Sequence, residues 1–465
     1  MSADLLSSEA TLLNRALRRV RGLWTDMAGM VAGASVEADL AQRMQDCLAA
    51  RGGEASARAR AAGLAEAYLA RDEAGRVEFL RTLAAFDSDP AAVAEAAAVL
   101  AAADGVAERA AAKTRLRRIL EPPRVRLLTQ FTSIPNGVKF LVDLRADLLA
   151  RAADPLLGAL EADLRGLLAN WFDIGFLELR RIDWTSPASL LEKLVGYEAV
   201  HRIRTWRDLK NRLDSDRRCY AFVHPRMPDE PLIFVEVALV QGISGNVQAL
   251  LDQNAPVLDA RRADTAIFYS INNCQRGLDG ISFGSFLIKR VVTELGHEFP
   301  NLKQFSTLSP LPGFRRWLTA QLVEEDGTLL QDGEEDALRA AAPGAESLGA
   351  ALAAVAGRRA PPKDEAVASK AEAVLIRLCA RYVLAEAGRN PKRARDPVAH
   401  FHLSNGARLE RINLRGDTSD KGFRESLGLM VNYLYDPEKI ETNHEAYAGE
   451  GRRAATPSLR KLARV

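Results

Sequence analysis

The sequence predicts an α+β protein of two domains, an all-α helical bundle over residues 1–172 followed by a mixed α/β domain over residues 173–465. Three observations carry that expectation. From Leu5 to Phe172 the chain is dominated by Ala, Leu, Arg and Glu with few β-branched or aromatic residues, the composition of stacked helices. Strand-like runs appear from Arg218 onward. Asp264–Phe314 reads as strand, glycine-bearing loop, amphipathic helix and strand, the order of a βαβ unit.

In the first half, interruptions at Gly52-Gly53, Asp87–Pro90, Pro122-Pro123 and Pro135-Asn136-Gly137 divide the chain into roughly six to eight helices. No polar constellation stands out there, so this half reads as a scaffold or oligomerisation domain. The texture changes at Asp183–Pro187, where Thr185-Ser186-Pro187 is expected to cap a helix over Ser189–Tyr197. Cys219–His224 and Leu232–Val240 flank Pro225–Pro231, which predicts an antiparallel hairpin with a long turn. Glu324–Lys370 loses hydrophobic patterning and is closed by Pro361-Pro362, so it reads as a loop excursion before a helix at Glu365–Glu386. Ala399–Leu403 and Arg408–Leu414 flank Asn405-Gly406, a type I′ turn signal, and predict a second hairpin.

The βαβ unit is the segment that bears on function. Thr265–Ile271 is short and rich in β-branched and aromatic residues, and Asn272-Asn273 closes it. From Ser282, Phe283, Leu287, Val291 and Leu295 recur every fourth residue, while Ser282, Ser285, Lys289 and Thr293 mark a polar face. Pro300-Asn301 ends the helix, Phe305–Leu308 can extend, and Ser309–Gly313 turns the chain. Such a unit brings a helix N-terminus and two strand ends to one sheet edge, where backbone N–H groups and the helix dipole favour a phosphate. The spacing Gln275-x4-Gly280-x3-Gly284 loosely resembles the pyrophosphate loop of the GNAT acetyltransferases, which grip coenzyme A; Gly277 and Gly280 can equally be turn formers, with Gly284 a packing residue.

Composition excludes several classes. A net charge of +2 from 63 basic and 61 acidic residues leaves no basic footprint for nucleic acid. The four cysteines, Cys47, Cys219, Cys274 and Cys379, have neither disulfide-framework nor zinc-site spacing. No run of about 18 apolar residues occurs, and the N-terminus lacks a basic region ahead of an apolar core, so neither membrane spanning nor secretion is expected and a cytoplasmic location is.

Two of the six histidines, His400 and His402, lie two apart in the expected strand and would share a face. Each is either an ordinary strand histidine or, for His402, an acid–base group suited to proton transfer near neutrality. Ser309 ends the βαβ unit where a ligand's reactive end would emerge, or serves as plain turn chemistry before Pro310. Tyr435 can donate to a ligand oxygen or pack.

Taken together, Asp183–Leu213, His224–Leu239, Phe268–Val292 (FYSINNCQRGLDGISFGSFLIKRVV), Phe305–Phe314 (FSTLSPLPGF), His400–Asn413 (HFHLSNGARLERIN) and Gly428–Tyr435 (GLMVNYLY) resemble the malonyl-CoA decarboxylase family in six ordered blocks. The resemblance implies a helical domain joined to a GNAT-like catalytic domain that converts malonyl-CoA to acetyl-CoA and CO2 through a thioester enolate, with no metal or organic cofactor and coenzyme A entering as part of the substrate. It places catalysis on Ser309 of the LSP turn and His402 of HFHL. Substrate contacts fall on Ser270, on Tyr435 and on the loop Asp279, Gly280, Ile281, Ser282, Phe283, Gly284 and Ser285. Ser282 departs from relatives that have glutamate there. A homo-oligomer, dimer or tetramer, built through the helical half is expected, and neither nucleic acid nor membrane is expected as a partner. An acyl-CoA-dependent N-acetyltransferase, needing an amine channel, and a non-catalytic malonyl-CoA sensor are the competing classes.

Overall fold

In the first half, punctuation residues become helix caps. The computed structural model describes residues 22–27, 39–49, 53–281, 286–324, 329–358 and 364–463. Gly53 precedes the helix Glu54–Leu69, Asp89 and Pro90 start Pro90–Ala102, Pro123 starts Pro123–Gln130, and Asn136, at φ 55°, precedes Gly137–Leu149. Asp154-Pro155 likewise starts Pro155–Trp171, with the Asp154 carboxylate accepting from Leu156 N–H at 3.0 Å. The interior of this unit is aromatic: Trp24, Tyr68 and Phe131 all contact Phe140, with ring centroids 5.0–5.7 Å apart.

The chain forms two compact units, and they do not divide it at one point. The helical unit takes in residues 1–177 together with 224–231 and 275–282, and the second unit holds 178–223, 232–274 and 283–465. The helical unit also contains a polar constellation that composition did not suggest. Arg124 and Arg145 are both buried and ion-paired, to Asp163 at 2.7 Å and Glu161 at 2.7 Å.

The sheet has eight strands in the order β1-β2-β3-β4-β5-β8-β6, with β7 also paired to β8. They are β1 (Glu178–Ile182), β2 (Arg217–His224), β3 (Met227–Val240), β4 (Thr265–Asn273), β5 (Gln304–Thr307), β6 (Ser309–Pro310), β7 (Arg408–Asn413) and β8 (Met430–Leu434). The βαβ unit forms as expected: β4 and β5 are parallel, joined through the helix Phe286–Glu298, on which Leu287, Val291 and Leu295 are buried. Pairing of β4 with β5 runs from Thr265↔Gln304 to Phe268↔Thr307, and a last bond joins Leu308 N–H to Phe268 C=O at 3.0 Å. Beyond it the strands part. β4 continues to Asn273 beside β3, with a bulge where Glu236 faces Ser270 and Val237 faces Phe268, while the other chain becomes β6 and pairs with β8.

Several expectations change. The segment Ala399–Leu403 is not a strand but part of the helix Pro397–Ser404. Asp396 is its N-cap, accepting from Val398 and Ala399 N–H, Pro397 occupies the first turn, and Asn405-Gly406 is the helix exit rather than a hairpin turn. Gly406 has φ +82° and accepts no side chain, since a Cβ there would stand 2.1 Å from Ile440 O. An Asp-Pro start and a Gly stop outweigh two residues of alternation. The hairpin of β2 and β3 is tight, because β3 begins at Met227 and absorbs Pro228 and Pro231. The helix after Pro187 is Ala188–Tyr197 and has no side-chain cap bond. Within the excursion at 324–370 the described residues form two helices, Glu334–Ala341 and Leu348–Ala356, and Arg377 of the next helix, Glu365–Leu384, clamps Glu334 and Leu329 O.

Replacing Gly406 with Ala is expected to cost more than about 1 kcal/mol of stability, since it combines left-handed strain with a backbone clash. Thermal unfolding measures it, and a melting temperature equal to wild type would contradict this account of the helix exit.

Candidate active site

Ser309 and His402 come together from opposite sequence neighbourhoods. Ser309 is fixed by its pairing with Val431 on β8 and by the Leu308 bond just before it. His402 lies in the last turn of the helix Pro397–Ser404, 2% exposed. Its Nε2 is 3.0 Å from Ser309 Oγ and its Nδ1 is 2.8 Å from Tyr435 Oη. Ser309 Oγ also donates to Thr307 Oγ1 at 2.8 Å, and Thr307 Oγ1 accepts from Tyr433 N–H at 3.1 Å. The imidazole stacks on the Tyr433 ring, with centroids 4.6 Å apart and planes 24° apart. With Ser309 donating to Thr307, the imidazole carries its proton on Nε2 and Tyr435 donates to Nδ1, so one continuous chain of donors runs Tyr435, His402, Ser309, Thr307.

Burial without a charged neighbour pushes His402 down to about 3 and Tyr435 well above its ordinary value. Both groups are therefore held neutral, an arrangement for passing a proton rather than storing a charge. Asp396, the helix N-cap, is pushed up to about 6 by its own burial and accepts from Tyr382 Oη at 3.2 Å.

His400 does not share the face of His402. Two residues apart on a helix they diverge, and His400 Nδ1 meets Tyr447 Oη at 2.8 Å instead. Thr307 and Tyr433 were not foreseen, although Thr307 stands two residues before Ser309 in an extended segment, the spacing that puts two side chains on one face.

Ser270 lies in a second polar cluster. Its Oγ donates to Glu198 Oε2 at 2.8 Å, and Asn272 Nδ2 donates both to Glu198 Oε2 and to Ser270 Oγ at 2.7 Å. The other Glu198 oxygen takes Val200 and His201 N–H at 2.8 and 2.6 Å. A carboxylate accepts only, so the one proton of Ser270 is committed to Glu198, and with one lone pair taken by Asn272 Nδ2 its oxygen has a single lone pair left to present. Opposite Ser270 on β3, Glu236 is bonded to Arg212 at 3.0 Å, and burial pushes its carboxyl up to about 8. Glu198 lies far upstream in a segment with no chemical motif; Asn272 is detectable only as the i+2 neighbour of Ser270.

Asp279, Gly280 and Ile281 belong to a turn in the helical unit; Ser282, Phe283, Gly284 and Ser285 lie outside the described residues. Ile281 N–H donates to Leu278 O at 3.0 Å, and Gly280, at φ +74°, has open space where a Cβ would be. Arg145 Nη1 donates to Gly277 O at 2.6 Å and Asp279 O at 2.9 Å, and Arg165 to Gly280 O at 3.1 Å.

The lowered histidine values set a pH dependence of stability. His402 at about 3 and His201 at about 4, both lowered by burial, are neutral in the fold while the unfolded chain takes up protons near 6.5. The unfolded state therefore binds more protons between these values, and their contribution, complete above about pH 6.5, is lost as pH falls toward 3. Asp396 acts with the opposite sign, losing stability as pH rises through about 6, and is common to any pair of variants compared. The melting temperature of His402→Asn should fall less than that of wild type between pH 6.5 and pH 3; parallel acid limbs would show that His402 is not buried in its neutral form.

Known proteins are similar to this chain over most of its length. Residues 175–465 match the family described as Malonyl-CoA decarboxylase C-terminal domain, and residues 86–172 match Malonyl-CoA decarboxylase N-terminal domain. The mitochondrial malonyl-CoA decarboxylase of Anser anser anser is 40% identical over 394 residues, 81% of this chain and 78% of the relative. That of Rattus norvegicus is 40% identical over 419 residues, 86% and 83% of the two chains. The crystal structure of malonyl-CoA decarboxylase from Agrobacterium vitis superposes with a TM-score of 0.81 at 42% identity, covering 92% of this chain and 100% of that one. The enzyme from Rhodopseudomonas palustris does so with a TM-score of 0.79 at 44% identity, covering 91% and 98%. With both family domains matched in order and relatives similar over most of their own length, the chain belongs to the malonyl-CoA decarboxylase family.

Proposed function

We propose that the chain is a carboxy-lyase that converts malonyl-CoA to acetyl-CoA and CO2, with Ser309 and His402 as its catalytic pair. The observation that carries this reading is the buried chain Tyr435–His402–Ser309, with contacts of 2.8 and 3.0 Å, at the point where β5 leaves β4. When the bond from C2 to the carboxylate breaks, CO2 departs and the electron pair passes into the thioester carbonyl as an enolate. The thioester is its own electron sink, so the proposed reaction calls for no metal or organic cofactor. A preorganised donor at the developing oxyanion is commonly worth about 10²–10³ in rate. C2 then needs a proton. A thioester enolate is basic enough to take one from a hydroxyl, and a concerted shift along Tyr435, His402 and Ser309 delivers it without placing positive charge on a buried imidazole; the enolate's negative charge passes to the Tyr435 oxygen, a strong base that regains its proton from solvent. The lowered His402 value supports that route over an imidazolium donor.

Substrate binding is assigned to Ser270, Tyr435 and the loop Asp279–Ser285, the last for the coenzyme A diphosphate. Ser270, its proton held by Glu198, offers an acceptor to the substrate. Ser282 can supply a hydroxyl where some relatives have a carboxylate. Among the described residues no helix is long and apolar enough to cross a membrane. A cytoplasmic location is part of the proposal, whereas the goose and rat relatives are mitochondrial by name. Self-association through the helical half is also proposed. It is supported by the helices Pro90–Ala102 and Val106–Leu120, which bury only Ala96 and Ala112 and leave Val99, Val106 and Leu120 exposed.

Incubation with malonyl-CoA and no acceptor should yield CO2 and acetyl-CoA in equal amounts. His402→Asn should lower kcat by about 10²–10⁴, while His400→Asn, whose side chain is bonded to Tyr447, should stay near wild type. Most of kcat surviving in His402→Asn would remove its acid–base role. For assembly, Val106→Asp combined with Leu120→Asp should shift sedimentation toward smaller species with the fold intact; an unchanged sedimentation coefficient would place the interface elsewhere.

A further inference from the structure

We infer that Arg145, on a helix of the helical unit, is a positioning residue for the coenzyme A diphosphate loop, setting which way one peptide of that loop faces. The inference rests on the proposed reading of the diphosphate loop, and concerns only its described end, the turn through Asp279, Gly280 and Ile281.

Leu278–Ile281 is a type II turn. Asp279 has φ −57° and ψ 134°, Gly280 has φ +74°, and Ile281 N–H closes the turn on Leu278 O at 3.0 Å. Types I and II differ by a flip of the central peptide, here Asp279–Gly280, which exchanges the sides occupied by its C=O and N–H. Arg145 Nη1 holds the C=O of that peptide at 2.9 Å and the Gly277 C=O at 2.6 Å. The peptide is trans, so the Gly280 N–H is turned away from the guanidinium. Leu278 N–H donates to Gln275 O, Asp279 N–H to Arg276 O and Ile281 N–H to Leu278 O, whereas among the described residues Gly280 N–H meets no backbone acceptor. Arg165 collects the next carbonyl, that of Gly280, at 3.1 Å. Two guanidinium groups thus hold carbonyl oxygens of this turn, and the Gly280 N–H, without a backbone acceptor among the described residues, is left to an anion. A flip would put a carbonyl lone pair toward the diphosphate instead.

Arg145 is built for this task. It is 2% exposed, and its Nε and Nη2 meet Glu161 Oε1 at 2.9 and 2.7 Å, which compensates its buried charge. The turn lies directly on the helix Gly137–Leu149 that carries Arg145: a Cβ at Gly277 would fall 1.7 Å from Val142 O. A lysine, with all its donors on one nitrogen, would not reproduce a fork whose Nη1 takes two carbonyls while Nε faces the carboxylate.

The test compares kcat/KM for malonyl-CoA with that for malonyl-pantetheine, which keeps the reacting thioester and lacks the diphosphate. In Arg145→Gln the preference for malonyl-CoA should fall at least about tenfold, the loss expected for charge-assisted bonds to two carbonyls. The fall should appear in KM, with kcat on malonyl-pantetheine retained. Arg165→Gln, at an exposed position, should lower the preference in the same direction. Arg124→Gln is the structural control: Arg124 is equally buried and holds Ala84 O and Asp163 at 2.7 Å, so its loss should lower the melting temperature and leave the preference intact. A folded Arg145→Gln with wild-type preference overturns the inference. If that variant does not fold, an unchanged preference in Arg165→Gln overturns it. A wild type that uses both thioesters equally well would instead remove the diphosphate reading on which the inference stands.

Discussion

The bond from Leu308 N–H to Phe268 C=O is the last that β5 and β4 share, and the site geometry depends on its being the last. Up to that point two parallel strands run in register. Beyond it β4 stays with β3 while the partner chain bends to β8. Pro310 cannot donate to a ladder, which suits a strand that must leave. The divergence puts Ser309 beside the helix Pro397–Ser404 and leaves Ser270 on a stretch of β4 that β5 no longer covers. β8 ties the diverging segment into the sheet by pairing with β5, β6 and β7.

Electrostatics in the sheet unit follows from how completely the site is dried. His402, Tyr435, Thr307 and Tyr433 are each at most 2% exposed. Desolvation disfavours any charged form there, so the proton chain runs between neutral groups. The Ser270 cluster takes the other course, keeping Glu198 satisfied by two backbone N–H groups, a hydroxyl and an amide. A buried carboxylate with so many donors is a fixed acceptor, and it dictates what Ser270 has left to offer.

The helical half has a wider role than composition suggested. Its helices hold the turn at Gly277–Gly280 through Arg145 and Arg165, while the hairpin Pro90–Leu120 leaves apolar side chains to solvent. One part of this unit thus holds the turn, and another bears the exposed side chains on which the proposed association rests. Neither shows in an alanine-rich sequence, because an arginine that binds a carbonyl some 130 residues away looks the same as one in water.

Much was legible from the chain alone. Helix breaks at Gly, Asp-Pro and Asn-Gly positions, the strands of the βαβ unit and the buried stripe Leu287, Val291, Leu295 all follow from local rules, since caps, proline and periodicity act within a few residues. Ser309, His402 and Tyr435 were singled out by residue type and by family resemblance. Tertiary structure decided the rest. It packed the buried ring of His402 on Tyr433 from a helix over Ala399–Leu403, whose ends Asp396-Pro397 and Gly406 mark locally although strand-like alternation masks them. It also brought Glu198 to Ser270 and Arg145 to Asp279, across 72 and 134 positions of sequence. Hydrogen bonds at such separations depend on how whole elements pack, and no local pattern encodes which distant carboxylate or guanidinium will arrive.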